Sequence, residues 1–182
     1  MSKKLFIYGL AFASAAAAFT YLYYANAVYQ DLTKNGIFLL CKEFVLPSIA
    51  IVLFLISMKK DLLLKPENTD KVAVSGAASF NIGKAIFSGF MLSIIISCGT
   101  SFMYLYLLKY QPHLILLAKE NTLAMLESKK SAFPNFEETR KYYQNDFFTN
   151  GNQLRVNIFT ASSVGLFVSA ITAYIIRPKQ PK

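Results

Sequence analysis

The sequence holds one histidine and two cysteines, and only 16% of its residues are charged. His113 alone cannot assemble a zinc site, and Cys41 and Cys98 both fall inside apolar runs, so neither a metal centre nor a disulfide framework is expected. Phosphate-binding glycine loops are missing as well, because Gly76 and Gly83 lack the companions such a loop needs. Ser75-Gly76 lacks the flanking pattern of a nucleophile elbow. No ten-residue alternating segments suggest a barrel. These gaps leave no constellation for an enzyme and no cofactor site.

What is present is apolar and clustered. Hydrophobic residues make up 54% of the 182, and the mean hydropathy is +0.38. They fall in four runs that approach or exceed the roughly 20 residues needed to cross about 30 Å of hydrocarbon. A span must satisfy its backbone internally, so these runs are expected to be helices. The fold class expected is therefore all-α: a single membrane domain, residues 1–182, built as an integral bundle of four transmembrane helices. The spans are placed at about 5–27, 36–58, 84–108 and 154–176, with a cytoplasmic loop at 59–83 and a helical extracytoplasmic loop at 109–153. A cleaved secretory signal is the rival reading of the first run, since Ala25-Asn26-Ala27 has the small-x-small form of a cleavage site.

The net charge of +9 is read as topology, because the 19 basic residues are dispersed with no dense stripe for nucleic acid. Lys3, Lys4, Lys59, Lys60, Lys65, Lys71, Lys84, Arg177, Lys179 and Lys182 share one side, which the positive-inside rule makes cytoplasmic, with both termini in. The remaining basic residues sit mostly in one long loop that translocates with little regard to charge. Tyr21, Tyr23, Tyr24 and Tyr29 end the first span, and Tyr104, Tyr106 and Tyr110 end the third, on the opposite face.

Between spans, Pro66-Glu67-Asn68-Thr69-Asp70 reads as a turn, Val72 to Phe80 as a surface-lying connector, and Ser79 or Asn81 as the cap of the third span. Gln30 to Asn35 reads as a short polar connection. Beyond Pro112, His113 to about Lys130 is helix-compatible with apolar residues on both sides: Leu116, Leu123 and Leu126 on one, Leu114, Leu117 and Met125 on the other. Glu137 to Asp146 suits a second short helix, and Asn150-Gly151-Asn152 a turn before the last span.

Three groups of residues are candidates for function. Ala85, Gly89, Ser93, Ser97 and Ser101 place a small residue at every fourth position of the third span, and Ala161, Gly165, Ser169 and Ala173 repeat the pattern in the fourth. Close backbone approach across such stripes supplies the packing that hydrophobicity cannot supply in lipid, so the two spans are expected to pair along them. Lys42 and Glu43 are the only charges well inside an apolar run, which makes them a candidate ion or proton site, with snorkelling to the nearby surface as the alternative. Phe133, Phe136, Tyr142, Tyr143, Phe147 and Phe148 crowd the outer loop, as a partner surface or as rings packed on the loop itself.

The layout resembles a Bacteroidetes membrane family catalogued as domain of unknown function 4199. The resemblance rests on Phe80-Asn81-Ile82-Gly83-Lys84-Ala85 with Gly89 and Ser93, the Tyr104 to Tyr110 exit, Pro112, and a last span ending in Ile176-Arg177. It implies a four-span protein of the bacterial inner membrane and brings no catalytic residues. The function expected is a non-enzymatic assembly or accessory component of a membrane complex, self-associating or bound to partners within the lipid bilayer. The alternative is a small transporter or channel subunit using Lys42 and Glu43.

Overall fold

The computed structural model describes residues 3–30, 32–64 and 81–177. Helix α1 runs Lys3–Ala25 and ends in a 3-10 turn at Val28–Gln30; α2 (Leu32–Leu40), a π-helical turn (Cys41–Val45) and α3 (Leu46–Leu64) then follow as one rod. Next come α4 (Ile82–Tyr110), α5 (Pro112–Ser128), a 3-10 turn (Lys130–Ala132), α6 (Phe136–Asn145) and α7 (Asn150–Ile176). No strand occurs among the described residues, and four helical stretches are long and apolar enough to cross a membrane: Lys3–Ala25, Lys34–Asp61, Ile82–Tyr110 and Asn150–Ile176.

Several boundaries differ from the sequence expectation, each for a local reason. Helix α7 opens at Asn150, so Asn150-Gly151-Asn152 forms its first turn; the Thr149 hydroxyl accepts from the Asn152 N–H at 3.3 Å and satisfies one of the unpaired amides there. The second span likewise starts earlier, at Leu32, within the stretch taken for a polar connection. At α4 the cap is Asn81, whose side chain accepts from Lys84 N–H at 2.9 Å. Pro112 occupies the first turn of α5, where its missing N–H is harmless. The expected turn at residues 66–70, the connector at 72–80 and Ser79 lie outside the described residues.

Helix α4 is the central element, packed against α1, α3 and α7. Between α4 and α7 the small residues face one another. Ala85, Gly89, Ser93, Ser97 and Ser101 are buried on α4, as are Ala161, Gly165, Ser169 and Ala173 on α7. A methyl group on Gly89 would strike Ser169, and one on Gly165 would strike Ser93 and the backbone of Phe90. Ser93 Oγ lies 2.7 Å from the carbonyl of Ala161 on α7 and donates across the interface.

The opposite flank of α4 receives α1 through a second close approach. A Cβ on Gly99 would collide with the backbone of Ala13, so only glycine lets the two helices come this near. Helix α1 buries Leu5, Gly9, Ala16, Thr20 and Tyr24 along its whole length. Its first turn is tied to α3, where Lys4 Nζ reaches Asp61 at 2.6 Å and Ser57 at 3.0 Å. Toward this end, which carries both termini, the bundle is filled by Ile51, Phe54, Leu55, Leu92 and Ala173, all at 0–1% exposure.

The other end is covered by a cap of α5 and α6. Ile115 and Ala118 pack with Tyr24, Tyr104 and Leu107 in a second core. The expectation that α5 is buried on two sides is corrected: Ile115, Ala118 and Leu126 form its one buried face, while Leu116 and Leu117 are exposed at 56% and 42%. Arg140 bridges to Glu127 at 3.0 Å and joins α6 to α5.

Candidate functional site

The site begins with Pro47. Proline has no N–H to donate, and its ring excludes the carbonyl four residues back, here that of Glu43. The helix widens by one residue immediately before it. Leu46 N–H bonds the carbonyl of Cys41, five residues back, and Cys41–Val45 forms the π turn.

This turn carries both Lys42 and Glu43, whose side chains meet at 3.3 Å and are 11% and 31% exposed. Lys42 is the more enclosed of the two, and Glu43 keeps about a third of its side chain exposed. Both line an internal chamber of about 200 Å³, together with Thr20, Tyr23 and Tyr24 of α1, Thr100 and Tyr104 of α4, Thr122 of α5, and Gln153 and Asn157 of α7. A smaller void of about 20 Å³ continues past the pair toward Ser93, Ser97 and Thr160. By size it holds one water molecule, and its wall offers the hydroxyl and amide partners a water requires.

Toward the cap, the chamber shares the wall of Tyr23, Leu39, Thr122 and Phe147 with a second cavity of about 330 Å³. That cavity is lined also by Asn35, Met125, Lys129, Phe133 and Tyr143.

Neutral hydrogen bonds hold the walls. Asn157 Nδ2 donates to Ser101 Oγ at 3.1 Å in a buried contact between α7 and α4. The Tyr104 hydroxyl donates to the Phe148 carbonyl at 2.7 Å, tying α4 to the link before α7, and Gln153 Nε2 donates to the Phe147 carbonyl at 2.8 Å. Tyr23 donates to Asn35 Oδ1 at 3.0 Å. In the cap, burial and then the neighbouring Tyr142 raise the Tyr143 phenol above the ordinary tyrosine range, so it stays protonated as a donor.

The aromatic residues of the outer loop turn mostly inward. Phe136 is buried, and Phe133, Tyr143, Phe147 and Phe148 are half-buried, with Phe147 stacked against Tyr142, Tyr143 and Phe148 at ring distances of 4.7–5.9 Å. Tyr142 alone of the six is exposed. The small-residue stripes are engaged within the chain, and the rings are largely engaged within the cap. Among the described residues no group of three metal-ligating side chains converges.

No protein-family model, curated protein or solved structure matches the chain. The site must therefore be read from its own residues. Sequence reasoning had singled out Lys42 and Glu43 but passed over Pro47, Gly99, Thr100 and Asn157. One signal is present, a proline four residues after Glu43; Asn157 follows Asn150, Asn152, Gln153 and Arg155 in the polar opening of its helix and does not stand out there.

Proposed function

We propose that this chain is a non-enzymatic accessory protein of the bacterial inner membrane that captures a small polar solute in the chamber at Lys42 and Glu43. The observation that carries this reading is the convergence of the ion pair with side chains of α1, α4, α5 and α7 on one cavity. Charged groups in a span are costly and mark a site when they face a cavity in the bundle. The exposed Phe6, Leu10, Phe87, Phe102, Phe159, Phe167 and Ile175 suit the lipid-facing surface of four membrane spans. The charge distribution supports an orientation with both termini in the cytoplasm and the α5–α6 cap outside.

A receptacle is favoured over an open pore by the packing on the cytoplasmic side of the pair, where Ile51, Phe54, Leu55 and Leu92 are fully buried. Assembly through the small-residue stripes has lost support, because those residues already serve α4 and α7. The resemblance to domain of unknown function 4199 agrees with a four-span inner-membrane protein and contributes no activity.

Thiol labelling tests the receptacle. In a chain with Cys41 and Cys98 replaced by alanine, Asn157→Cys in intact cells is expected to react with a small membrane-impermeant thiol reagent, and Ser169→Cys is not. A cysteine at Asn121 on the cap reports the side of the membrane. Labelling at neither Asn157→Cys nor Thr100→Cys, with the Asn121→Cys control labelled, would overturn the reading; labelling of Asn121→Cys only after permeabilisation would reverse the topology.

A further inference from the structure

We propose that the chamber selects a small aromatic zwitterion, the chemical class of the aromatic α-amino acids; this rests on the receptacle reading above. The argument starts from charge. Among the described residues, Lys42 and Glu43 are the only full charges on the wall of the inner chamber, and they neutralise each other at 3.3 Å. An anion that drew Lys42 away would leave Glu43 without its counter-charge. A cation that drew Glu43 away would strand Lys42, whose side chain is only 11% exposed, and removing the partner of an enclosed ion is unfavourable. A ligand with a carboxylate and an ammonium on neighbouring atoms avoids both costs. Its carboxylate meets Lys42, its ammonium meets Glu43, and the four charges alternate in sign.

The rest of the wall decides what such a ligand carries. Tyr23, Tyr24, Tyr104, Phe147 and Phe148 border the chamber, with Tyr24 and Tyr104 rings 5.9 Å apart. These ring faces and edges offer contacts to an aromatic side chain, and they attract the ammonium as well. The hydroxyls of Thr20, Thr100 and Thr122 supply neutral hydrogen-bonding groups on the same wall. The shared boundary at Leu39, Thr122 and Phe147 leads on to the larger cavity, which leaves space for a bulky ring.

The test uses the full chain in lipid nanodiscs and three probes of nearly equal shape: phenylalanine, phenethylamine and 3-phenylpropionate. Calorimetry is expected to rank phenylalanine first, with each singly charged probe weaker by about tenfold or more. Glu43→Gln is expected to move the preference to 3-phenylpropionate, because Lys42 then seeks an anion. Lys42→Gln is expected to move it to phenethylamine. Equal loss of all three probes in both variants, with normal elution, would overturn the zwitterion assignment. If either variant fails to fold, the wild-type ranking decides, and a preference for the amine or the acid overturns it. Binding of no probe by a protein whose Asn157→Cys form is labelled from outside would overturn the ligand class while leaving the receptacle standing. Absence of that labelling would remove the receptacle itself.

Discussion

The two ends of the bundle are built on different terms. At the end with the termini, α4 meets α7 through glycine and serine, and Phe54, Leu55 and Ile51 close the remaining space. At the cap end, tyrosines, threonines and an ion pair line cavities of about 200 and 330 Å³. One chain thus builds a clamp at one end and a vessel at the other.

Substitution should break the clamp most easily. Gly165→Leu or Gly89→Leu forces a side chain into Ser93 or into Ser169, and a loss of more than about 3 kcal/mol is expected, read as loss of the monodisperse peak on size exclusion. Phe54→Ala at the closed end should cost about 2 kcal/mol, less than in a soluble core because the unfolded reference also lies in lipid. Phe147→Ala at the open end, where the ring borders existing cavities, should cost about 1 kcal/mol; steric-trap or denaturant unfolding of the two variants side by side gives the contrast. A cost for Phe147→Ala equal to that of Phe54→Ala would erase the distinction between the ends.

Two smaller effects sharpen it. Ala27, just beyond α1, holds a φ of 49°, in the left-handed region that penalises a Cβ. Ala27→Gly should therefore raise the thermal midpoint, by a stabilisation of about 1 kcal/mol. Arg140→Ala removes an ion pair whose partners are about half exposed, so a change of under about 0.5 kcal/mol is expected in the same assay.

The contrast between the ends also explains what the sequence made legible. Four helical spans follow from runs of apolar residues, and the stripes follow from spacing along one helix; both are local patterns. The chamber is not local. Its wall takes Thr20, Lys42, Thr100, Thr122 and Asn157 from five separate helical segments, and of these only Lys42 stands out in its own neighbourhood. The fate of Lys42 and Glu43 hinged on rotation: a straight α-helix and a π turn aim a side chain differently, and Pro47 selects the second. The partner of Gly99 was hidden for the same reason, since nothing in α4 says that Ala13, 86 positions earlier, will lie against it. Helix starts at Leu32 and Asn150 were misplaced because polar residues occupy first turns, where they resemble connectors.

The seat of α1 against Gly99 bears on how the molecule is made. Synthesis delivers α1 before the surface it packs on: α4 emerges only after the whole α2–α3 rod. Until then α1 has no surface shaped to receive it, and the vessel lacks its far side until α7 follows. The chamber therefore comes into being only once α7 has been made, and a ligand cannot be held by a nascent chain that lacks it.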